Sequence, residues 1–382
     1  MTILFVSDFR LFLLSLVLTC VVLTWLAVAS ALHRRRLAAV PVRIHVAGSR
    51  GKTSTARLIG AALRFAGRRV LVKTTGTDPL LILPDGAEKA WRRCGPPTIA
   101  EQARFFRWAA ELTVDVVVLE SMAIDREYLW ASERFYVRAT HLVVTNTRPD
   151  HLESLGEAPG AVGEAISLLV PERGYLFMSD EAAEEPVLAS AAVRGTRTEI
   201  VATKGARPLE ANQRLALALC RSLGVPDDIA AQGFAQANSD PGAFFVRKCT
   251  IAGVPVSFVN AFACNDPVSL RELWAEYRAA GRVVILLNGR RDRPLRTRAF
   301  LDNLTEFAPD FDLYLAEVPR AAIWRCKFPA ERIRFLKAHS AESALAMLAQ
   351  ATGPDGEIWG IGNYSGIGAK IVAYLLKEER TC

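Results

Sequence analysis

Between Leu11 and Leu32 the chain reads LFLLSLVLTCVVLTWLAVASAL, 22 residues without a charged side chain. As a helix rising 1.5 Å per residue, such a run is about 33 Å long, the thickness of a bilayer's hydrocarbon core. Arg34, Arg35 and Arg36 follow at once, whereas Asp8 and Arg10 cancel ahead of it. The basic excess on the C-terminal side predicts a single-pass cell-membrane helix over residues 11–32, with the short tail 1–10 outside and the rest of the chain in the cytoplasm. A cleaved signal peptide competes with this reading, because Ala27-Val28-Ala29 is a small-x-small triplet. Against cleavage, the apolar run is too long and its charge lies behind it. A buried core helix is the third alternative.

Past Pro41 the pattern changes to short apolar runs separated by amphipathic segments. Val42–Ala47 (VRIHVA) predicts a strand, and Ser54–Ala66 a helix with Leu58, Ile59, Ala62 and Leu63 on one face. Gly67 stops that helix. Val70–Val72, Leu112–Leu119 and Thr140–Thr145 predict further strands, with a helix over Phe105–Leu112. The near-continuous apolar character of the later strands suits a parallel sheet covered on both faces. Alternation of this kind through about residue 240 predicts a layered α/β domain spanning 40–243. After the turn cluster at 238–242 a second set begins, with strands at 254–259, 282–287, 311–315, 332–336 and 357–360. Helices starting at Val268, Arg298, Glu342 and Ile367 complete a smaller α/β domain over 245–382.

Length and composition agree with two folded domains. At about 150 residues per domain, 382 residues with 51% hydrophobic content exclude a peptide and a disordered chain. The seven cysteines form no CxxC pair, and the five histidines form no HExxH. A disulfide framework, a cysteine-built zinc site and a histidine-rich metalloenzyme are therefore not expected. Lys and Arg number 47 against 40 Asp and Glu, a net charge of +7. That excess fits either a solvated basic surface or a site for a polyanion. No recognition-helix signature and no basic strand with interleaved aromatics supports a nucleic-acid partner.

The chemistry concentrates at strand ends. Gly48-Ser49-Arg50-Gly51-Lys52-Thr53, with Ser54 opening the helix, lies between a predicted strand and a predicted helix. This is the context of a phosphate-binding loop, although Val46 stands where the full GxxxxGK[ST] pattern has glycine. Lys52 is expected on the outer phosphates of ATP and the Thr53 hydroxyl on Mg²⁺. Glu120 ends an apolar strand and is the expected carboxylate ligand, since strand C-termini line the ligand crevice of an open α/β sheet. Asp150 and His151 follow the next strand, and His151 is a candidate second ligand. Lys73, Thr74 and Thr75 follow the second strand and are candidates for an acceptor carboxylate. Arg290, Arg291 and Arg293 form a dense cationic cluster suited to bidentate carboxylate contacts. A solvated loop or a salt-bridge network is the other reading of that cluster.

The motifs HVAGSRGKTSTARLI (45–59), KTTGTDPLLILPDG (73–86), VVLESMAIDREYLW (117–130), TNTRPDHLE (145–153), NAFACNDPVSL (260–270), LNGRRDRPLR (287–296) and GIGNYSGIG (360–368) occur in that order through nearly the whole chain. In these the chain resembles the Mur ligase superfamily, and within it the ligase subunits of poly-γ-glutamate synthases. The resemblance implies an ATP-dependent amide ligase that elongates poly-γ-glutamate through an acyl phosphate, releasing ADP and phosphate. It also implies one or two Mg²⁺, small membrane subunits as partners and a possible homo-oligomer. Carried over by motif, it assigns catalytic roles to Lys52, Glu120 and His151. Asn212 resembles the adenine-contacting asparagine, and Asp266 the acidic residue that holds the ribose. A nucleotide-gated structural subunit of a membrane polymer-export complex is the alternative function. The chain departs from the family in having no lysine from 153 to 170, where many members carry a carbamylated one. Glu153 stands where aspartate is frequent, and Leu209-Glu210 replaces the usual His-Asn ahead of Asn212.

Overall fold

The computed structural model describes residues 2–75, 79–93, 95–149, 152–155, 158, 160–238, 242–264, 266–279, 281–291, 293–307, 311–324, 326–338 and 340–378. The chain folds into two compact units, 1–146 with 166–237, and 147–165 with 238–382.

The first unit begins with one unbroken helix, α1 (Thr2–Ala38). Its residues Leu11–Ala38 are long and apolar enough to cross a membrane, with a mean hydropathy of 2.6 over an 18-residue stretch. Along the uncharged run Leu14, Leu18, Leu23 and Trp25 are exposed. Past that run the environment changes: Leu37 and Val40 are buried with Phe105, Phe106, Val117 and Val137.

Among the described residues eight strands form the sheet of this unit: β1 (Val42–Ala47), β2 (Val70–Lys73), β3 (Leu80–Ile82), β4 (Glu88–Ala90), β5 (Val116–Glu120), β6 (His141–Val144), β7 (Tyr175–Ser179) and β8 (Arg197–Val201). Their order is β4-β3-β2-β5-β1-β6-β7-β8. From β2 to β8 all pairings are parallel, whereas β3 and β4 add an antiparallel edge. The short edge strands were not anticipated: β4 (EKA) is fully exposed, and β3 (LLI), although apolar, is only three residues long. Strand β5 starts four residues later than the apolar run suggested. Leu112 caps the helix α3 (Glu101–Glu111), and Thr113 turns the chain with a positive φ of 47°. Helix α2 (Lys52–Phe65) packs Leu58, Ile59, Ala62 and Leu63 against Val72, Val116, Leu215 and Leu219. It ends as expected at Gly67, whose φ of 81° lets Arg68 N–H reach back to Leu63 O.

Among the described residues the second unit holds six strands: β9 (Phe245–Ile251), β10 (Val254–Ala261), β11 (Val283–Asn288), β12 (Phe311–Ala316), β13 (Ile333–Phe335) and β14 (Gly356–Gly362). Their order is β13-β12-β11-β14-β10-β9, parallel except for the β9–β10 hairpin. Strand β9 was not anticipated. Its burial alternates along FVRKCTI because only one face meets the core, a weaker signal than the continuous apolar runs of β11 and β14. Helix Pro294–Phe307 begins earlier than the expected Arg298, with proline at its first turn. The segment 147–165 groups with this unit although it follows β6 in sequence. Locally, Arg148 donates to Ser269 Oγ at 2.9 Å and pairs with Glu272 at 3.1 Å.

Candidate nucleotide-binding site

The site is built at the C-terminal ends of β1, β2, β5 and β6. Strand β1 lies at the centre, between β5 and β6, and the register pairs Val46 with Glu120 and Ala47 with Val144. The segments leaving these strands therefore emerge side by side, the place where open α/β sheets hold their ligands.

The loop after β1 depends on two glycines. Gly51 is the N-cap of α2, with φ 77° and ψ −4°, and no side chain caps the helix. The first amides of α2 are thus left facing the loop, and a helix N-terminus of this kind attracts anionic oxygens. A Cβ on Gly51 would lie 2.4 Å from Asn212 Oδ1, and one on Gly48 (φ 126°) 2.1 Å from Thr145 Oγ1. Both glycines are needed for close approach as well as for backbone conformation. Lys52 folds back over the loop, its Nζ donating to Gly48 O at 2.6 Å and to Ser49 O at 3.2 Å. A triphosphate would compete with those carbonyls for the ammonium.

Glu120 closes β5 and is only 6% exposed. Its Oε2 accepts from Thr53 Oγ1 at 3.0 Å and from Thr75 N–H at 2.8 Å. A buried carboxylate beside a hydroxyl at a helix start is a hard-oxygen donor pair that fits Mg²⁺. That ion takes one or two carboxylates and fills its remaining positions with phosphate oxygens and water. Among the described residues no group of three or more His, Cys, Asp or Glu is gathered in a metal-holding arrangement. His151 and Asp150 lie outside the described residues.

Asn212 is brought to the loop by helix Pro208–Ser222, where it is 9% exposed and stands over Gly51. Two residues not singled out in the sequence also belong to the site. Thr145 Oγ1 donates to Ala47 O and Arg50 O, at 3.2 and 2.5 Å. Asn146 accepts Ser49 N–H on its backbone carbonyl and Arg50 N–H on Oδ1, each at 3.1 Å, and its Nδ2 donates to Arg50 O. These two side chains fix the loop's curvature. Their signal was position alone, directly after an apolar strand.

Lys73, a candidate for the acceptor carboxylate, is paired within the first unit. It is 2% exposed, its ammonium lies 3.3 Å from Glu101 Oε2, and it stands 5.1 Å from the Trp91 ring. Burial pushes its pKa down, against the pull of Glu101. Burial would raise Glu101, yet Lys73 and Arg93 together hold that carboxyl below its usual range. Thr74 is buried and its hydroxyl accepts Leu80 N–H, so Lys73 and Thr74 support the strand end while Thr75 presents its amide to Glu120.

In the second unit Asp266 caps helix Pro267–Tyr277, accepting from Ser269 N–H at 2.8 Å and Ser269 Oγ at 2.7 Å. Arg290, Arg291 and Arg293 follow β11, with Arg291 exposed and the other two half-buried. Two further arginines of that stretch serve the unit's own structure: Arg296 is buried and donates to Asn363 Oδ1 at 3.0 Å, and Arg298 donates to Trp324 O.

A phosphate loop on a parallel sheet, an adjoining carboxylate–hydroxyl pair and a second parallel α/β unit define a nucleotide-dependent ligase of the Mur type. The Mur ligase middle domain matches residues 46–183, and the poly-gamma-glutamate synthase CapB C-terminal domain matches residues 246–378. The chain belongs to the Mur ligase superfamily and is an amide-bond-forming, ATP-dependent ligase of that class. It is 28% identical over 360 residues to PGA synthase CapB of Bacillus subtilis, covering 89% of this chain and 91% of that protein. It is 26% identical over 369 residues to the capsule biosynthesis protein CapB of Bacillus anthracis, covering 91% of this chain and 79% of that protein. In fold it is similar to E. coli FolC in complex with DHPP and ADP, with a TM-score of 0.66 at 18% identity, over 92% of this chain and 93% of that one.

Proposed function

We propose that this chain is the ligase of a poly-γ-glutamate synthase, adding glutamate to a growing chain. The observation that carries the reading is the pairing of two features in one polypeptide. The first unit brings Lys52, Thr53 and Glu120 together at the strand ends, and the second matches a domain described for poly-gamma-glutamate synthase. The similarity to the two CapB proteins over most of their length supports glutamate as substrate.

A carboxylate has no good leaving group, so amide formation needs activation. Transfer of the γ-phosphoryl group of ATP to the acceptor carboxylate yields an acyl phosphate and ADP. The amine of the next glutamate then attacks the carbonyl carbon, and phosphate leaves. The chain's part is positioning and charge neutralisation. Lys52 turns from its own carbonyls to the outer phosphates, and the α2 amides receive phosphate oxygens. Thr53 and Glu120 would hold Mg²⁺, which supplies positive charge beside the triphosphate. Thr75 N–H keeps the Glu120 carboxylate oriented. His151 is the proposed second ligand, Asn212 the proposed adenine contact and Asp266 the proposed ribose contact. Arg290, Arg291 and Arg293 are proposed to receive substrate carboxylates.

Helix α1 is proposed to cross the cell membrane once, with Arg34–Arg36 on the cytoplasmic side and small membrane subunits of the synthase as neighbours. The test is a product assay on the full chain reconstituted in vesicles. Glutamate-dependent release of ADP and phosphate, with γ-linked oligomers by mass analysis and none from Lys52→Ala, is the expected result. Release of AMP and pyrophosphate would overturn the acyl-phosphate mechanism. Turnover dependent on another amino acid alone would overturn the assignment of glutamate.

A further inference from the structure

Helix α1 runs into the first unit without a linker. His33, the residue after the uncharged run, is 9% exposed. Its Nε2 lies 2.9 Å from Tyr136 O, and its ring is 5.8 Å from Phe106. Tyr136 belongs to a π-helical turn, Ser132–Val137, that continues helix α4 (Arg126–Ala131). One helical residue advances only about 1.5 Å. Tyr136 is therefore held at the level of the end of the apolar run, with the rest of the segment continuous with it.

That segment is amphipathic in an unusual sense. Leu129, Ser132, Glu133 and Val137 are buried beneath it. On its outer side Tyr128, Trp130 and Phe135 are 55%, 45% and 55% exposed. Trp130 and Phe135 meet edge to face at 5.2 Å, and with Ile99 and Leu168 they line an open depression of about 630 Å³. Arg34, Arg35 and Arg138 are exposed close by in the chain, and Arg126 and Arg134 lie on the segment itself. The exposed acidic side chains beside them include Asp125, at the N-cap of α4, Glu127 and Glu172, the last paired with Arg134. Soluble surfaces seldom gather large aromatics in this way. Aromatic rings flanked by arginines are the composition of the membrane–water interface, where the rings sit among headgroups and the guanidinium groups meet anionic lipid.

We propose that Tyr128, Trp130 and Phe135 form an interfacial docking surface that seats the first unit on the headgroup layer of an anionic bilayer, next to the point where α1 leaves it. The proposal rests on the reading of α1 as a membrane span. Attachment at two places, the helix and this face, fixes the orientation of the unit on the membrane, which a single anchor would not do. A buried Leu37–Val40 junction in place of a flexible tether supports the same geometry.

The test uses the full chain reconstituted alone in phosphatidylglycerol–phosphatidylcholine vesicles with brominated acyl chains that quench tryptophan. Bromines near the acyl terminus report Trp25, inside the uncharged run. Bromines near the headgroup report Trp130. The expected result is that Trp130→Phe lowers the shallow quenching about twofold or more while leaving deep quenching and ATP binding unchanged. Deep quenching of Trp25 with shallow quenching indifferent to Trp130→Phe overturns the docking surface, leaves the span standing and points to a protein on that face. Absence of deep quenching overturns the span, and the docking proposal with it.

Discussion

Glu101→Gln tests the electrostatic support under the site. Glu101 Oε2 lies 3.3 Å from Lys73 Nζ, and Oε1 accepts from Arg93 Nε at 2.8 Å. At 3.3 Å two unit charges attract by about 5 kcal/mol for an effective dielectric of about 20, before the cost of desolvating them. Removing one partner of a buried pair leaves the other uncompensated and typically costs about 3–5 kcal/mol. Glutamine retains a hydrogen-bond acceptor but no charge, so Lys73 and Arg93 lose the Glu101 anion, and Glu120 remains as a further carboxylate acting on Lys73. We expect a loss of about 3 kcal/mol, the low end of that range. Lys73→Met is expected to cost about half as much, because Arg93 still holds Glu101 and the aliphatic stem still packs. A double-mutant cycle should show coupling of about 1–2 kcal/mol. Because two units need not unfold together, the measurement is amide hydrogen exchange of Val70–Lys73 in the full chain. Both folded pKa values are depressed, so both groups make stability rise with pH. The Glu101 contribution is present above 4.5 and is lost as pH falls through its lower folded value. The cost of burying the Lys73 ammonium is relieved as pH climbs from its folded value toward 10.5. A Lys73→Met variant less stable than Glu101→Gln, or a cycle without coupling, would refute this account of the strand end. The same loss should weaken ATP binding, since Thr75 reaches Glu120 from the end of β2.

Two further changes follow from the geometry. Gly51→Ala places a Cβ at a φ of 77° and 2.4 Å from Asn212 Oδ1. With about 1–2 kcal/mol from the left-handed backbone alone, ATP affinity measured by calorimetry should fall at least about tenfold, and unchanged affinity would contradict the loop geometry. His141 is buried against Tyr175, at 5.0 Å between ring centroids, and burial pushes its pKa down to about 4 from 6.5. Its stabilising effect is complete above pH 6.5 and is lost as pH falls toward 4. His141→Phe should remove up to about 3 kcal/mol of the acid-induced loss in hydrogen-exchange stability of β6, and an unaltered pH profile would count against it.

Much of the first unit was legible because its signals are local. The apolar run VRIHVA, the glycine-flanked lysine and the face Leu58, Ile59, Ala62 and Leu63 sit next to one another, so period and turn chemistry alone define β1, the loop and α2. Glu120 was legible for the same reason, as a charge ending an apolar strand. The 22-residue uncharged run likewise carries its own length argument. What the tertiary structure decided involves partners far apart in the chain. Lys73 reads as a free cation until the fold sets Glu101 and Trp91 around it, and only then does burial determine its charge chemistry. Asn212 meets Gly51 because a helix more than a hundred residues later packs against α2. Thr145 and Asn146 shape the loop because β6 lies beside β1. In the edge hairpin, Leu81 and Ile82 of β3 are buried in the core while β4 is fully exposed, and strands of three residues are too short to show a hydrophobic period. Periodicity records which face of an element meets a core; it does not record which other element supplies that core, and that choice is made by packing and by the pairing of buried charges.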